Sequence, residues 1–308
     1  MKEIKYVFGP VPSRRLGRSL GISPIPKKTC NYSCIYCQLG RTDRMTAERR
    51  EFFPVEDILA EAESYLKNVG SFDVVSIVGE GEPTLYLKLG ELIKGLKKRT
   101  DKPIAVITNG ALMYDPQVRR ELCEADIVLP SMDGFDEESY KRIDRPVGSL
   151  HYDKVLEGLK AFTHEFKGQI YMEIMLMDGI NDDRASLEKF RKDLSMLRYD
   201  RLYINTPVRP PAEKEVHVSS DENLKLAADM LGGISIETLA GGGFFSEIPD
   251  DYEAVLGIIG RHPMNQHEIA GFLSSRDNKE PEKLFDRLKN DEKVVCTEYK
   301  GYYTFRLK

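Results

Sequence analysis

Three cysteines fall on one short stretch, Cys30-Asn31-Tyr32-Ser33-Cys34-Ile35-Tyr36-Cys37, in a chain of 308 residues that has only five. A Cys-x3-Cys-x2-Cys run of this kind reads as metal ligation. Three thiolates on one loop can hold three corners of a cubane [4Fe-4S] cluster, whose protein ligands are cysteine thiolates. The fourth iron then lacks a protein ligand and is open to bind something else, which suits chemistry better than electron storage. Other uses of the triplet fit less well. An odd count in a long chain argues against a disulfide framework. Structural zinc closes with four Cys or His ligands, and the nearest histidine in sequence is the remote His151. A ferredoxin-type run needs a fourth cysteine from elsewhere, and only Cys123 and Cys296 are spare. Cys123 lies in a helical stretch, Pro116 to Glu124, and reads as a small buried hydrophobe. His151, His164, His217, His262 and His267 show no metal-ligand spacing.

Charge is spread unevenly around this loop. Residues 1–50 carry eleven Lys/Arg against three Asp/Glu, although the whole chain is at −5. A basic segment suits an anionic substrate such as a phosphate or a nucleic acid, and Arg14, Arg15, Lys27 and Lys28 are the side chains placed to bind one. An equally good reading is a solvated face paired to the acidic remainder. With 41% hydrophobic and 31% charged residues the composition is that of a globular protein. No apolar run approaches the roughly 20 residues of a membrane span. Met1 to Arg15 has no apolar core of a signal peptide, so a cytoplasmic location is expected.

The elements that must position these residues alternate. Val55, Ile58, Leu59, Ala62, Leu66 and Val69 recur at helical spacing before the strand-like run Asp73–Val78. Helices are predicted near Leu87–Lys98, Pro116–Glu124, Glu137–Ile143, Tyr152–Phe166, Asp182–Leu197 and Asp221–Leu231. Strands are predicted at Pro103–Ile107, Asp126–Leu129, Gln169–Leu176 and Arg201–Asn205. Such alternation implies a parallel sheet with helices outside. Several strands carry polar residues two apart: Tyr171, Glu173 and Met175, then Tyr203 and Asn205, with Ser131 and Asp133 at a third strand's end. Side chains two apart share a face, so one face lines a wet cavity, as in a barrel wide enough for a ligand. Glu173 stands out because an unpaired buried carboxylate is costly. Glu173 and Tyr203 are therefore the candidate substrate contacts. Ala240-Gly241-Gly242-Gly243 reads as a boundary, which divides the chain into 1–245 and 250–308. The second part reads as three helices and then two strands, Lys293–Glu298 and Tyr302–Leu307, around Tyr299-Lys300-Gly301. Pro281 is suited to the first turn of the third helix. That is the order of a winged helix-turn-helix.

With an aromatic just before its third cysteine, Cys30-x3-Cys34-x-Tyr36-Cys37 resembles the signature of the radical S-adenosylmethionine (SAM) superfamily. Gly81-Glu82-Pro83 after the second strand resembles that family's Gly-Gly-Glu-Pro motif, with Glu80 in place of its first glycine. Thr108-Asn109-Gly110 follows the third strand, and Ser131 and Asp133 end the fourth. Covering roughly residues 16–240, the resemblance implies a partial (β/α)6 TIM-like barrel, open at one side. It also implies a [4Fe-4S] cluster on Cys30, Cys34 and Cys37, with SAM on the fourth iron. Reductive cleavage of SAM to a 5′-deoxyadenosyl radical and removal of a hydrogen atom from substrate would follow, with flavodoxin or ferredoxin as the electron donor. Backbone groups of Gly81, Glu82 and Pro83 would hold the methionine amino group, and Ser131 and Asp133 the ribose or methionine polar atoms. Tyr36, Thr108 and Asn109 would lie near the adenine or methionine.

Gly9-Pro10-Val11-Pro12-Ser13-Arg14-Arg15-Leu16-Gly17 and Arg142-Ile143-Asp144-Arg145-Pro146 resemble the iron–sulfur oxidoreductases grouped with wyosine-base tRNA enzymes. The wyosine enzyme uses three further cysteines, which this chain lacks, so its activity does not carry over. A nucleic acid, with a tRNA base in view, is the leading substrate expectation. A peptide or protein recognised by the C-terminal part is the second, since residues 250–308 hold ten Lys/Arg and eleven Asp/Glu and lack a basic footprint. A redox-sensing regulator is the third, although a sensor has no use for the SAM motifs.

Overall fold

The chain begins with a hairpin that its residue pattern does not signal: β1 (Val7–Ser13) runs antiparallel to β2 (Gly17–Ile22). The computed structural model describes residues 6–236, 244–246, 248–278, 280–299 and 301–308. After β2 comes a long loop, held by two short parallel strands, β3 (Thr29–Cys30) and β4 (Arg44–Met45). Helix α1 (Val55–Leu66) leads to β5 (Val74–Ile77), α2 (Leu89–Lys97) and β6 (Ile104–Thr108). Then follow α3 (Pro116–Leu122), β7 (Ile127–Pro130), α4 (Glu137–Ile143), α5 (Tyr152–Glu165) and β8 (Gln169–Met175). The series ends with α6 (Arg184–Leu194), β9 (Arg201–Asn205), α7 (Asp221–Leu231) and a two-residue β10 (Ile234–Ser235).

Sheet order is β1-β2-β5-β6-β7-β8-β9-β10, parallel throughout from β2 onward. The outer strands β1 and β10 do not pair with each other, yet the sheet curls. Leu16, Val74, Ala105, Leu129, Tyr171, Tyr203 and Ile236, drawn from the whole width of the sheet, join one buried cluster on its inner face. Only a sheet wrapped around its own side chains brings them together. Helices cover the outer face, where Ile58, Leu92, Ile93, Val118, Phe162 and Phe190 are fully buried against it. Local chemistry agrees with these elements. Pro116 occupies the first turn of α3, the Asp136 carboxylate caps α4, and Gly232 closes α7 with φ of 68°.

The C-terminal residues form α8 (Asp251–Ile259), β11 (Met264–Asn265), α9 (Gln266–Ser275), α10 (Pro281–Asn290), β12 (Val294–Tyr299) and β13 (Tyr302–Leu307). Their small antiparallel sheet has the order β11-β13-β12. The expected helices and the hairpin across Tyr299 and Gly301 are present, and β11 is added to them. This unit shares its apolar core with the first hairpin: Val11 is buried among Phe244, Val255, Phe272 and Leu284, with Phe8 packed against them.

One expectation changes and several strands are new. The hairpin strands β1 and β2 and the short β3, β4 and β10 escaped the pattern. Cys123 is exposed at the C-cap of α3 instead of buried, because the apolar side of that helix is filled by Val118 and Leu122. The Ala240–Gly243 boundary lies outside the described residues, as does Lys300.

Candidate active site

Parallel sheets of this kind place function at the C-terminal ends of their strands, and the cysteine loop crosses that end. It is stitched to the loop after β5 by Lys28 N–H to the Glu80 carbonyl at 2.5 Å and Glu82 N–H to the Thr29 carbonyl at 3.1 Å. The fit is so close that a Cβ on Gly81 would stand 1.8 Å from the Thr29 carbonyl oxygen. Lys28 adopts a left-handed φ of 54° just before the cysteines, and Arg145 does so at 46°. Non-glycine residues held in that region mark places where surroundings over-determine the backbone. Further along, Ile35 N–H bonds the Ile143 carbonyl at 2.9 Å, and Ile35 packs with Ile143, Met177 and Val216.

The three thiols are brought together. Burial pushes the Cys30 thiol up, as does nearby Glu82. Burial does the same to Cys34, reinforced by Asp144, Cys30 and Cys37. For Cys37 burial again dominates, partly opposed by a backbone hydrogen bond at Leu39 and by the charges of Lys28 and Arg306. A side chain at Gly40 would sit 3.6 Å from Arg306 Nη1 and 3.7 Å from Lys28 Nζ, so the C-terminal strand reaches this loop. Half-buried thiols crowded by one another and by carboxylates favour a cationic centre that deprotonates them. Two polar atoms beside Cys30, Thr29 Oγ1 and Asn31 Nδ2, are buried without hydrogen-bond partners among the described residues. Among the described residues no three His, Cys, Asp or Glu side chains converge on a single metal ion. Three thiolate donors suit a cluster that takes one protein ligand per iron better than structural zinc, which closes with four.

Around the loop the sequence-predicted residues form two knots. In the first, Glu82 is buried and acts as an acceptor hub. Its Oε1 accepts from Thr84 N–H at 2.9 Å and from the Thr84 and Thr108 hydroxyls, each at 2.6 Å, while Oε2 accepts from Asn109 N–H at 2.8 Å. Burial raises its pKa, and these four donors oppose the rise. Asn109 Nδ2 donates to Asn31 Oδ1 at 2.6 Å and lies 3.8 Å from Cys30 Sγ. Pro83 opens a single 3-10 turn behind Glu82.

In the second knot, Tyr36 donates its hydroxyl to Asp133, whose other oxygen accepts from Met175 N–H at 2.7 Å. Burial pushes the Asp133 pKa up to about 7, against those two hydrogen bonds. Ser131 bridges to Glu173 along the strand direction and lines a small recess with Asn109, Asp133 and Asp144. Asp144 was not singled out from sequence. It is the buried C-cap of α4, and its Oδ1 lies 3.5 Å from Cys34 Sγ. Burial and Asp133 hold its carboxyl well above the usual range. Its motif, Arg142–Pro146, pointed only to a subgroup; the fold turns it toward the cysteines.

Both candidate substrate contacts are relocated. Glu173 is not an unpaired carboxylate: Arg15 reaches across from the first hairpin and pairs with it. Tyr203 belongs to the apolar floor, edge-on to Tyr171 at 5.9 Å, with its hydroxyl 3.2 Å from Arg201 Nη1. Above that floor is an open cavity of about 680 Å³, reached from Arg14, Arg15, Ser19 and Asn205 of the sheet, Gln38 of the cysteine loop and Glu80. Its far wall is the C-terminal unit, which supplies His262, Glu268 and Phe272. Glu80, standing where the family motif has glycine, is 3.5 Å from Arg261 of that unit. The residue that departs from the motif thus joins the motif loop to the C-terminal unit.

Comparison with known proteins agrees with this geometry. The model of the radical SAM superfamily matches residues 25–190. A UPF0026 protein of Methanocaldococcus jannaschii is 38% identical over 304 residues, spanning 96% of this chain and 93% of its own. One from Helicobacter pylori strain J99 is 33% identical over 289 residues, 92% of this chain and 93% of its own. Among solved structures, TYW1 with a lysine–pyruvate adduct bound aligns with a TM-score of 0.52 at 24% identity, covering 70% of this chain and 74% of that one. AnSMEcpe with bound AdoMet also gives 0.52, at 20% identity, over 70% of this chain and 59% of that one. At such identities the structural likeness speaks for the fold alone.

Proposed function

Since the chain belongs to the radical SAM superfamily and is a radical SAM enzyme with a [4Fe-4S] cluster and SAM as cofactors, we propose that Cys30, Cys34 and Cys37 hold the cluster. When bound, the pair of cofactors supplies a 5′-deoxyadenosyl radical by one-electron cleavage of SAM. The observation that carries this reading is the packing of three half-buried cysteines beside the Gly81–Pro83 loop at the C-terminal rim of the sheet.

The protein's part is binding, orientation and exclusion of water. Backbone groups of Gly81, Glu82 and Pro83 would receive the methionine amino group. Glu82 itself serves as the brace that fixes Thr108 and Asn109, accepting four hydrogen bonds from the protein. Ser131 and Asp133 are read as ribose or methionine partners, with Tyr36 holding the Asp133 carboxylate in place. Substrate enters the cavity between the sheet and the C-terminal unit. A reductant is required, and flavodoxin or ferredoxin is our reading of it.

The C-terminal unit has the element and strand order of a winged helix, and we read residues 250–308 as one. Its third helix is poorly supplied for gripping a phosphate backbone. Arg287 lies over the Tyr252 ring at 3.5 Å, Lys289 over Tyr303 at 5.0 Å, and Lys283 bonds Glu280 at 2.5 Å. We therefore favour a compact substrate, or a nucleobase turned out of its stack, over a nucleic acid held by this unit.

The test is anaerobic reconstitution with iron and sulfide, reduction by dithionite, and assay of 5′-deoxyadenosine from SAM. Formation that disappears in Cys30→Ser, Cys34→Ser and Cys37→Ser is expected. A fully loaded, reducible cluster that neither binds nor cleaves SAM would overturn the reading in favour of a redox sensor.

A further inference from the structure

Four arginines face the cavity, and three are already committed. Arg15 pairs with Glu173, Arg209 with Glu268 at 3.2 Å, and Arg261 with Glu80 at 3.5 Å. Arg14, exposed in the turn between β1 and β2, makes no ion pair among the described residues. Arg15 and Arg209 also flank one imidazole. Arg209 Nη2 is 2.6 Å from His262 Nε2; a guanidinium only donates, so that nitrogen accepts and the ring is neutral. Burial and the two arginines hold His262 in that form. The cavity is also lined by Phe8, Phe244 and Phe272, with Phe8 beneath Arg261 at 5.4 Å and Phe244 beside the His262 ring at 5.4 Å.

We propose that the cavity binds a compact substrate, or substrate moiety, with an apolar body and a carboxylate or phosphate group, and that Arg14 is its anion anchor. The wall carries one more positive than negative charge once Glu173 is counted with Glu80 and Glu268, and the surplus is Arg14. The side chain is exposed before binding, so it does not have to be released from a carboxylate. Its planar fork matches either anion bidentately. Arg15, held by Glu173, and Arg209, held by Glu268, are largely neutralised by those carboxylates, which leaves Arg14 to supply the surplus charge. Phe8, Phe244 and Phe272 take the apolar body. A cavity of about 680 Å³ lies within the range of small-ligand sites, about 300–1,000 Å³. This proposal rests on the radical SAM reading only for where substrate must lie.

The test is calorimetric titration of the cluster-loaded full chain with inorganic pyrophosphate and, separately, malonate, at constant ionic strength. Wild type, Arg14→Gln, Arg14→Lys and Arg120→Gln are compared. Arg120 is an exposed residue of α3, remote from the cavity lining. Cluster absorbance and melting temperature establish that each variant is folded and loaded. At least one anion should bind wild type, about ten- to a hundredfold more weakly in Arg14→Gln, from the loss of a charge-assisted contact. Arg14→Lys should fall between, and Arg120→Gln should match wild type. Preference for pyrophosphate identifies a phosphate-bearing substrate, and preference for malonate a carboxylate. No binding by wild type, or equal binding by Arg14→Gln, overturns the proposal. Arg14-dependent binding in a protein that does not cleave SAM would leave the anion site standing and sink the radical reading; the converse result would remove the anion site alone.

Discussion

Replacing Glu82 by Gln separates a brace from a ligand contact. The carboxylate accepts four hydrogen bonds at 2.6–2.9 Å, three at Oε1 and one at Oε2. An amide that keeps its oxygen toward Thr84 and Thr108 turns its NH2 group on Asn109 N–H, donor against donor. One buried donor is then unsatisfied, which costs about 1–3 kcal/mol. Gln also escapes the desolvation that raises the Glu82 pKa, so the net loss belongs at the low end of that span. The disturbed element is the Thr108–Asn109 turn, and Asn109 reaches both Asn31 and the Cys30 sulfur. Urea unfolding of the metal-free chain reads the stability term. Titration of the cluster-loaded protein with SAM reads the other, expected to weaken by roughly five- to thirtyfold if a comparable 1–2 kcal/mol is transmitted. Unchanged stability, within about 0.5 kcal/mol, together with abolished SAM binding would refute the reasoning and make Glu82 a direct contact.

Other perturbations test other parts of the structure. Gly81→Ala places a methyl against the Thr29 carbonyl; a backbone shift costing about 1–3 kcal/mol should appear as a lower melting temperature and less iron bound per chain. Glu213 is held down to about 2 by hydrogen bonds from Arg41 and Arg145. Its folded pKa is depressed, so its contribution is fully present above the unfolded value near 4.5 and fades as pH falls toward 2. The stability gap between wild type and Glu213→Gln, from urea melts, should therefore be larger at pH 7 than at pH 3; a gap independent of pH would refute this. Tyr203→Phe removes a hydroxyl whose contact is the exposed Arg201, so substrate turnover should persist with a stability loss below about 1.5 kcal/mol. Glu173→Gln loosens Arg15 and should raise the KM for substrate more than it lowers cleavage of SAM, read by separate assays.

The parallel strands and outer helices were legible because their apolar spacing is regular and their ends carry turn chemistry. Glu137–Ile143 and Asp221–Leu231 were placed to the residue. β3 and β4 are two residues long, too short for any period to register. The thiol cluster was legible from spacing alone, whereas Asp144 was not. Nothing local distinguishes a buried C-cap aspartate from an exposed one, and only the folding of α4 onto the cysteine loop brings it to Cys34. Glu173 illustrates the opposite failure: its inward placement was read correctly from the two-residue alternation, but its partner Arg15 lies 158 positions away. Pairing at that range depends on how the sheet curls, which no window of sequence contains.

The sharing of β1 between two cores has a consequence for synthesis of the chain. The apolar surface that covers Val11 and Phe8, from Val255, Phe272 and Leu284, is made roughly 240–280 residues after them. At roughly 5–20 residues per second on a ribosome, the hairpin waits on the order of 10–60 s for its cover. Val11 forgoes about 1.5–3 kcal/mol of burial until then, and the partly buried Phe8 a fraction of that. Nascent chains stalled at residue 245 should accordingly be cut by protease within the first hairpin, and full-length released chains should resist.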